Sequence, residues 1–265
     1  MEVTKVQVSR PGPVTIITLD GAASRNAVAP ETALALHAAF VAFDADPESR
    51  AAVLHGAGGH FCSGFDLKAL AGGRADDWLS RVHFGAGDEP PLGPMGPTRL
   101  ALRKPVIAAI AGAAVAGGME LALWCDLRVM EASAYMGVYC RRWGVPLIDG
   151  GTVRLPALVG AGRALDLVLT GRRIDADECL AIGLCDRRAG DGESLAEAVA
   201  LAGALADLPR ECLRADRCST RRAAGIDDRA ALEAEFRRGI EVLAGARAGA
   251  ARFAAGSGRH GSPGD

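Results

Sequence analysis

The sequence predicts an α/β layered domain, and three of its features carry that prediction. Apolar, β-branched segments alternate along the chain with segments of helical periodicity. Predicted strands leave through glycine-rich loops, as "GAGGHFCSG" does after residues 51–56. The 265 residues, 49% of them apolar, are enough to bury one substantial core. In folds of this class the loops at strand ends carry the functional groups.

The elements of the first half follow in order. Residues 14–20, "VTIITLD", predict a buried strand because they are β-branched and lie between "PGP" and a glycine. Residues 30–46 predict a helix, since proline stands at the start and an acidic residue in the first turn. Further strands are predicted at 51–56, 104–112 and 125–132. Residues 71–97 are rich in glycine and proline, and we expect a long mobile loop there, over a pocket.

From about residue 150 the pattern becomes mostly helical. A short helix is predicted at 175–183, "DADECLAIG". Amphipathic helices are predicted at 193–209 and 227–245. A helical segment of this kind either mediates assembly or covers its own core. The last ten residues, "GSGRHGSPGD", predict a disordered tail at 256–265.

The net charge and the cysteine content of the chain indicate which classes of binding partner and which cellular compartment are favoured. The formal charge of −2 gives no whole-chain field that would recruit nucleic acid or an anionic membrane. No charged segment followed by an apolar run opens the sequence, and no apolar run is long enough to span a bilayer. The seven cysteines are odd in number and contain no C-x-x-C pair, which favours a reducing cytoplasm. We therefore expect a small-molecule partner.

Several common catalytic motifs are absent from the sequence. "GAGGHF" at 56–61 lacks the last glycine of the dinucleotide fingerprint G-x-G-x-x-G. There is no G-K-[ST] phosphate loop and no H-E-x-x-H motif, and the five histidines have no ligand-like spacing. Ser63 stands in "CSGFD" rather than in G-x-S-x-G. Nucleotide, metal and acyl-enzyme chemistry are therefore not favoured, and no metal ligand is predicted.

Two glycine loops remain, "HFCSGFDL" at 60–67 and "AVAGGMEL" at 114–121. Each follows an apolar strand and leads toward a predicted helix, whose N-terminal N–H groups favour an anion. Two such donors that converge on one oxygen form an oxyanion hole. Gly117 suits this role because it lacks Cβ, and Glu120 would then stand beside the bound carbonyl for proton transfer. The alternative is structural: a glycine pair for close packing and a glutamate that interacts with the helix dipole.

Three sequence blocks, in order, resemble the crotonase, or enoyl-CoA hydratase/isomerase, superfamily. "HFCSGFDLKAL" resembles its F-x-x-G-x-D-[LI] oxyanion loop. "KPVIAAIAGAAVAGGMELALWCDLRV" is similar to its K-P-[VT]-[IV]-A segment, which continues through G-G-G-x-E-L-A to C-D. "DGGTVRLPALVGAGRALDLVLTGRRIDADECLAIGLCD" resembles its G-G-x-x-R-L-x-x-x-[VI]-G segment and the stretch beyond it. The likeness covers about residues 14–245, and the three blocks together are highly specific.

The resemblance implies a fold and an organisation. The family fold is a spiral of strand-strand-helix units with a helical C-terminal segment, usually a homotrimer or a dimer of trimers. It implies a crotonase-like core with an acyl-CoA site at 1–195 and a helical oligomerisation segment at 196–255. The loop at 71–97 corresponds to the variable segment that shapes the acyl pocket. The implied partner is an acyl-CoA thioester, and no separate cofactor is implied because coenzyme A is part of the substrate.

The resemblance also implies roles for individual residues. Phe65 and Gly117 match the two residues whose N–H groups hold the thioester oxygen. Glu120 matches the first of the two acid/base glutamates of the family's hydratases. Arg25 matches a basic position that often approaches coenzyme A, and residues 63–67 match the turn that binds pantetheine and adenine. The substrate-binding residues implied in this way are Arg25, Ala27, Ser63, Asp66 and Leu67.

One departure from the family pattern bears on the reaction. The second hydratase glutamate falls on Cys140, and a thiol with an ordinary pKa of about 8.5 is mostly protonated at neutral pH. Asp149 falls where dienoyl-CoA isomerases of the family carry a proton-shuttling aspartate. It is also predicted as the N-cap of a helix that starts near residue 150, and both roles are compatible.

Three functions follow as alternatives. The first is an enoyl-CoA hydratase-like lyase with Glu120 as principal acid/base and Asp149 as a possible partner. The second is an enoyl- or dienoyl-CoA isomerase that uses the same two carboxylates, which Asp149 and Cys140 favour. The third is a non-catalytic acyl-CoA-binding protein, against which the unpaired carboxylate in an apolar segment argues because its burial is costly.

Overall fold

The computed structural model describes residues 3–84 and 91–256. Six strands form one sheet in the order β1-β2-β3-β4-β6-β9, in which β1 is antiparallel to β2 and the other pairs are parallel. A small second sheet has the order β5-β7-β8. The strands are β1 (Lys5–Ser9), β2 (Val14–Asp20), β3 (Ala51–Gly56), β4 (Val106–Ile110), β5 (Ala113–Val115), β6 (Leu127–Glu131), β7 (Tyr135–Gly137), β8 (Ile174–Asp175) and β9 (Arg187–Ala189).

Helices separate and follow these strands. They are α1 (Pro30–Ala45), α2 (Leu67–Ala71), α3 (Arg74–Arg81), α4 (Gly117–Trp124), α5 (Gly151–Val159), α6 (Ala161–Thr170), α7 (Ala176–Ala181), α8 (Ser194–Ala206), α9 (Arg210–Ala223) and α10 (Arg229–Ala254). Short 3-10 helices lie at Ala22–Ser24, Pro97–Arg99 and Tyr139–Trp143. Among the residues that the structure describes, no helix is both long and apolar enough to cross a membrane.

The strands that the sequence predicts are confirmed as β2, β3, β4 and β6. All five residues of β4 are buried, as expected for a parallel strand that is covered on both faces. On one face of the sheet, Val53 and Ile107 belong to the same cluster as Leu201 of α8. On the other face, Leu54 belongs to the main core with Phe40 of α1. The predicted α/β layered fold is therefore confirmed.

The predicted helices at 30–46, 175–183, 193–209 and 227–245 are confirmed as α1, α7, α8 and α10, the last of which continues to Ala254. The sequence reading missed α9 and the strands β1, β5, β7, β8 and β9. Most of these strands have only two or three residues, which is too short for an alternating pattern to be recognised. Residues 257–265 of the predicted tail lie outside the described part of the chain.

The prediction of a continuous loop over 71–97 is wrong for its first part. Residues 74–81 form α3, and Trp78 of this helix is buried and donates from Nε1 to the carbonyl of Pro94 at 3.1 Å. Glycine and proline dominate the rest of the segment and favour a loop, whereas residues 74–81 are themselves amphipathic and bury Trp78. Residues 85–90 of the predicted loop lie outside the described part.

Candidate active site

The two glycine loops of the sequence analysis lie side by side. Cys62 N donates to Ala113 O at 2.9 Å, and Val115 N donates to Cys62 O at 3.0 Å, so the first loop pairs with β5. Gly118 has no space for a side chain, because a Cβ there would lie 2.1 Å from the carbonyl oxygen of Cys62. This close contact fixes the start of α4 against the first loop.

A second close contact between the loops is made by Gly64. Its φ of +98° is in a region that glycine adopts readily, and a Cβ there would lie 3.0 Å from the backbone nitrogen of Gly117. Ala116, which precedes α4, has φ 54° and ψ −128°, a strained conformation for a residue with a side chain. The backbone is therefore held in an unusual shape where Phe65 and Gly117 meet.

Phe65 and Gly117 both line a cavity of about 730 Å³. Gly117 is the first residue of α4, so its N–H has no partner within the helix. In the part of the chain that the structure describes, neither the Phe65 N–H nor the Gly117 N–H donates to a protein acceptor. Two backbone N–H groups without a protein acceptor among the described residues therefore belong to residues that line this cavity.

The cavity also collects the residues that the resemblance assigns to substrate binding. Arg25, Ala27, Ser63, Asp66 and Leu67 all line it, and so does Asp149. Further lining residues include the basic Lys68, Arg142 and Arg173 and the apolar Leu70, Leu79, Val145, Leu243 and Phe253. Of the predicted site residues, Glu120 alone does not form part of the lining.

Asn26 holds the turn that carries Arg25, and the sequence analysis missed it. Its side chain is fully buried, accepts from Gly21 N at 2.9 Å and donates to the carbonyls of Ala57 and His60 at 2.9 and 2.7 Å. Both Arg25 and Asn26 have positive φ, 52° and 58°. Asparagine tolerates this conformation better than most residues, so "SRNAV" contained a local signal for a turn.

Glu120 lies in the first turn of α4, behind the cavity wall. Its side chain is 3% exposed, and its Oε1 accepts from Asp149 N at 2.9 Å and from Gly151 N at 3.0 Å. Among the described residues nothing donates to Oε2, which is not fully enclosed. Burial, followed by the charges of Asp149 and Glu235, raises the pKa of Glu120 well above its ordinary value.

Asp149 lines the cavity, but it does not cap α5 as predicted. Its Oδ1 accepts from Met95 N at 2.9 Å and from the hydroxyl of Thr98. The N-cap of α5 is Gly150, with φ 92° and no side-chain capping bond. Burial raises the pKa of Asp149, although the bonds from Thr98 and Met95 act in the opposite direction. The capping prediction is wrong because other carboxylates occupy the N–H groups of that turn.

One of those carboxylates is Glu235, on α10, which the sequence analysis missed. Its Oε2 accepts from Gly150 N at 2.6 Å, and its Oε1 accepts from Thr152 N at 2.7 Å and Thr152 Oγ1 at 2.8 Å. Burial raises the pKa of Glu235. No local signal distinguished it, because an acidic residue in a charged amphipathic helix predicts a solvated side chain.

Two buried arginines lie beside the carboxylates. Arg154 donates from Nη1 to the carbonyl oxygen of Asp149 at 2.8 Å. The guanidinium of Arg99 lies 4.0 Å from the ring centroid of Phe84 and 4.3 Å from that of Phe236. Burial lowers the pKa of Arg99 to about 10, which leaves it charged at neutral pH. Both cations oppose the negative charge of the acidic cluster.

Cys140 lines the cavity from the 3-10 helix Tyr139–Trp143. The side chain is buried, and burial raises the pKa of the thiol to about 12, with a further contribution from the charge of Glu120. The thiol is therefore protonated at neutral pH, and it does not replace a glutamate as a base.

The comparison with known families agrees with this geometry. A family model described as enoyl-CoA hydratase/isomerase matches residues 9–244, most of the chain. The chain therefore belongs to this enzyme family, and the resemblance found in the sequence is confirmed.

The similar proteins include enoyl-CoA hydratases and carnitinyl-CoA dehydratases. The chain is 34% identical over 243 residues to enoyl-CoA hydratase EchA19 of Mycobacterium tuberculosis, covering 89% of this chain and 87% of the relative. It is 39% identical over 202 residues to carnitinyl-CoA dehydratase of Salmonella arizonae, covering 76% and 74%.

Solved structures share the fold. The structure of carnitinyl-CoA hydratase from Mycobacterium avium matches with a TM-score of 0.82 at 33% identity, covering 94% of this chain and 95% of that one. The structure of enoyl-CoA hydratase from Mycobacterium tuberculosis matches with a TM-score of 0.76 at 30% identity, covering 90% and 97%. The crotonase fold is therefore confirmed.

Proposed function

We propose that the chain is an enoyl-CoA hydratase-like lyase, with Glu120 and Asp149 as its acid/base pair. The observation that carries the proposal is one cavity lined by Asp149, Phe65 and Gly117, with the buried carboxyl group of Glu120 directly behind Asp149. Glu120 Oε1 is bonded to the backbone of Asp149, and Phe65 and Gly117 line the same cavity as Asp149. The enoyl-CoA hydratase and carnitinyl-CoA dehydratase names of the relatives support this class of reaction.

The two N–H groups form the oxyanion hole of the proposed reaction. A thioester oxygen bound by Phe65 N and Gly117 N gains negative charge as an enolate forms, and fixed donors stabilise that charge. Removal of one such donor from other enzymes lowers the rate by about 100- to 1,000-fold. The rigid pairing of the first loop with β5 holds the donors in place before the substrate binds.

The carboxyl groups move the protons. In hydration, the Asp149 carboxylate takes a proton from water as the water oxygen bonds to Cβ, and the π electrons move to the thioester oxygen. Protonated Glu120 then gives its proton to Cα, which yields a 3-hydroxyacyl-CoA. Dehydration is the reverse. The raised pKa of both groups suits proton exchange near neutral pH.

The proposed enzyme also binds the coenzyme A moiety of its substrate and assembles into an oligomer. Arg25 and the turn at Ser63–Leu67 hold the coenzyme A moiety, and the positive charges of Lys68, Arg142 and Arg173 favour its phosphates. No cofactor other than the coenzyme A of the substrate takes part. We retain a homotrimer or dimer of trimers, with 196–255 as the contact segment, and a cytoplasmic location, which the seven unpaired cysteines support.

The second candidate is an enoyl- or dienoyl-CoA isomerase. It is favoured by Cys140, which leaves Glu120 and Asp149 as the acids for proton transfer. In this reaction the Asp149 carboxylate removes a proton from Cα of a 3-enoyl-CoA, the charge moves to the thioester oxygen, and Glu120 returns a proton at Cγ. No water is added.

Product analysis in deuterated water tests the proposal. Purified protein is incubated with crotonyl-CoA and, separately, with a 3-enoyl-CoA, and the products are identified by mass spectrometry and NMR. We expect a 3-hydroxyacyl-CoA with one deuterium at Cα. Double-bond migration without hydration would support the isomerase instead, and no change in either substrate would contradict both reactions.

The Asp149→Asn variant assigns the second acid in the same assay. We expect the hydration rate to fall about 100-fold, because the amide does not accept the proton of water. Asp207→Asn, at the exposed end of α8, is the matched control and should keep the rate. An Asp149→Asn rate equal to that of the control would remove Asp149 from the mechanism.

A further inference from the structure

Two carboxylates on different helices share the N-terminal turn of α5. Glu120 accepts the N–H groups of Asp149 and Gly151, whereas Glu235 accepts those of Gly150 and Thr152. The four consecutive N–H groups are thus divided between one acid of α4 and one acid of the C-terminal helix. This turn also carries the Asp149 side chain into the cavity.

We propose that Glu235 is a positioning residue of the active site, which fixes the turn that carries Asp149 and whose negative charge keeps a proton on Glu120. The choice of Glu120 and Asp149 as the reacting groups rests on the proposed function. The bonds and charges that support the proposal are properties of the protein alone, so its main test needs no turnover.

The count of buried charges indicates that one of the three carboxyl groups is protonated. Three buried carboxyl groups, those of Glu120, Asp149 and Glu235, lie near two buried guanidinium groups, those of Arg99 and Arg154. Full ionisation would leave an uncompensated negative charge away from water, which is costly. The cluster lowers this cost by binding a proton.

The other charged groups around Glu235 do not alter this balance. Asp227 lies 3.6 Å from Arg154, but it is paired with Arg221 by two bonds of 2.6 and 2.9 Å. Arg229 acts on Arg99 from an exposed position, where water screens its charge. The unpaired charge therefore remains within the three carboxyl groups.

Hydrogen bonding places the proton on Glu120. Glu235 accepts three bonds, two of them from N–H groups at the positive end of α5, which stabilises its ionised form. Asp149 accepts two bonds and has both arginines as favourable neighbours. Glu120 accepts two bonds on one oxygen, and the groups that raise its pKa after burial are the other two acids. Glu120 therefore ionises last.

Isotope-edited infrared spectroscopy tests the proposal directly. Protein with 13C-labelled glutamate is titrated with pH, and the band of protonated glutamic acid is followed in the wild type, Glu235→Gln and Glu233→Gln. Glu233 is the matched control, since it lies on the same helix but pairs with Arg237 at a more exposed position. We expect the band to disappear at lower pH in Glu235→Gln and at unchanged pH in Glu233→Gln.

A purely structural role for Glu235 predicts a different result. In that case Glu235→Gln would lower stability but leave the pH at which the Glu120 band disappears unchanged, and this outcome would overturn the proposal. Thr152→Val separates the two effects, because it removes one bond to Glu235 and keeps the charge. We expect a much smaller shift of the titration in Thr152→Val than in Glu235→Gln.

If Glu235→Gln does not fold, the infrared spectra of the wild type and Glu120→Gln test the proposal instead. We expect a protonated glutamic acid band near neutral pH that is absent from Glu120→Gln. A band that persists in Glu120→Gln places the proton on a different acid and overturns the proposal. Neither result depends on a substrate, so an inactive protein in the crotonyl-CoA assay would contradict the proposed function without deciding this inference.

Kinetics add a second readout where turnover is found. For Glu235→Gln we expect kcat to fall about 10- to 100-fold, with KM changed less than threefold, because the acids move relative to the bound substrate. The pH limb assigned to Glu120 should move to lower pH. A uniform loss of rate at every pH, without movement of that limb, would contradict the role of the charge.

Discussion

The two glycine loops and the acidic cluster are built in different ways, although both contribute residues to one cavity. The loops at 60–67 and 114–121 position backbone atoms, and their shape depends on glycines and on pairing between near neighbours in the fold. The cluster positions side chains from α4, the turn before α5 and α10, which are far apart in the chain. The conformation of each loop is thus encoded by short glycine motifs, whereas the cluster depends on which side chains the fold packs together.

The largest expected loss of activity follows a substitution in the acidic cluster. Glu120→Gln keeps the size of the side chain and an acceptor for the N–H groups of residues 149 and 151, but it does not release a proton. We expect kcat for crotonyl-CoA hydration to fall by about 100- to 10,000-fold with little change in KM. Glu241→Gln, at an exposed position of α10, is the control. A kcat within threefold of wild type would exclude Glu120 as the acid.

The same variant should affect stability in the opposite direction. The folded-state pKa of Glu120 is raised by burial, above an unfolded value of about 4.3. The folded state therefore binds more protons, and the wild type loses stability as pH rises from that value through the folded-state pKa. We expect Glu120→Gln to be more stable than wild type at pH of about 8 and to lose this advantage toward about pH 4. Urea unfolding at both pH values measures it, and a pH-independent difference would contradict the assignment.

The next largest expected loss of activity follows a substitution in the first glycine loop. Gly64→Ala forces a side chain into a conformation with φ +98° and brings Cβ to 3.0 Å from the backbone nitrogen of Gly117. We expect the donors to move apart and kcat to fall about 100-fold. Gly12→Ala is a matched control, because Gly12 also has positive φ, +64°, but has nothing within 4 Å of the added Cβ. Equal rates for the two variants would contradict a role for the Gly64–Gly117 contact in catalysis.

The smallest effect concerns the strain in the second loop. Ala116 has φ 54°, which glycine adopts at lower cost, so we expect Ala116→Gly to stabilise the protein by about 1 kcal/mol. That gain corresponds to a rise in Tm of about 2–4 °C by calorimetry. Ala114→Gly, in β5 with ordinary backbone angles, should lower Tm instead. A lower Tm for Ala116→Gly would show that the loop is not strained.

The sequence predictions for individual residues differ between the loops and the cluster in the same way. The glycine pair predicted Gly117 and the family motif implied Phe65, and the structure places both residues on one cavity. Asp149 was found by its place in a motif, but its partners were predicted wrongly, since Glu120 and Glu235 occupy the N–H groups that it was expected to cap. Glu235 was not found, because nothing next to it in the chain indicates burial.

By itself the sequence determined the layered α/β fold, the main strands and helices, the family and the two glycine loops. These features depend on periodicity and on local backbone conformation, which short stretches of chain encode. The tertiary structure alone decided the order of residues 74–81, the partners of Asp149 and the burial of Glu235. Each of these depends on contacts between segments distant in the chain, and the pKa of a carboxyl group depends on the charges and solvent that those contacts place around it.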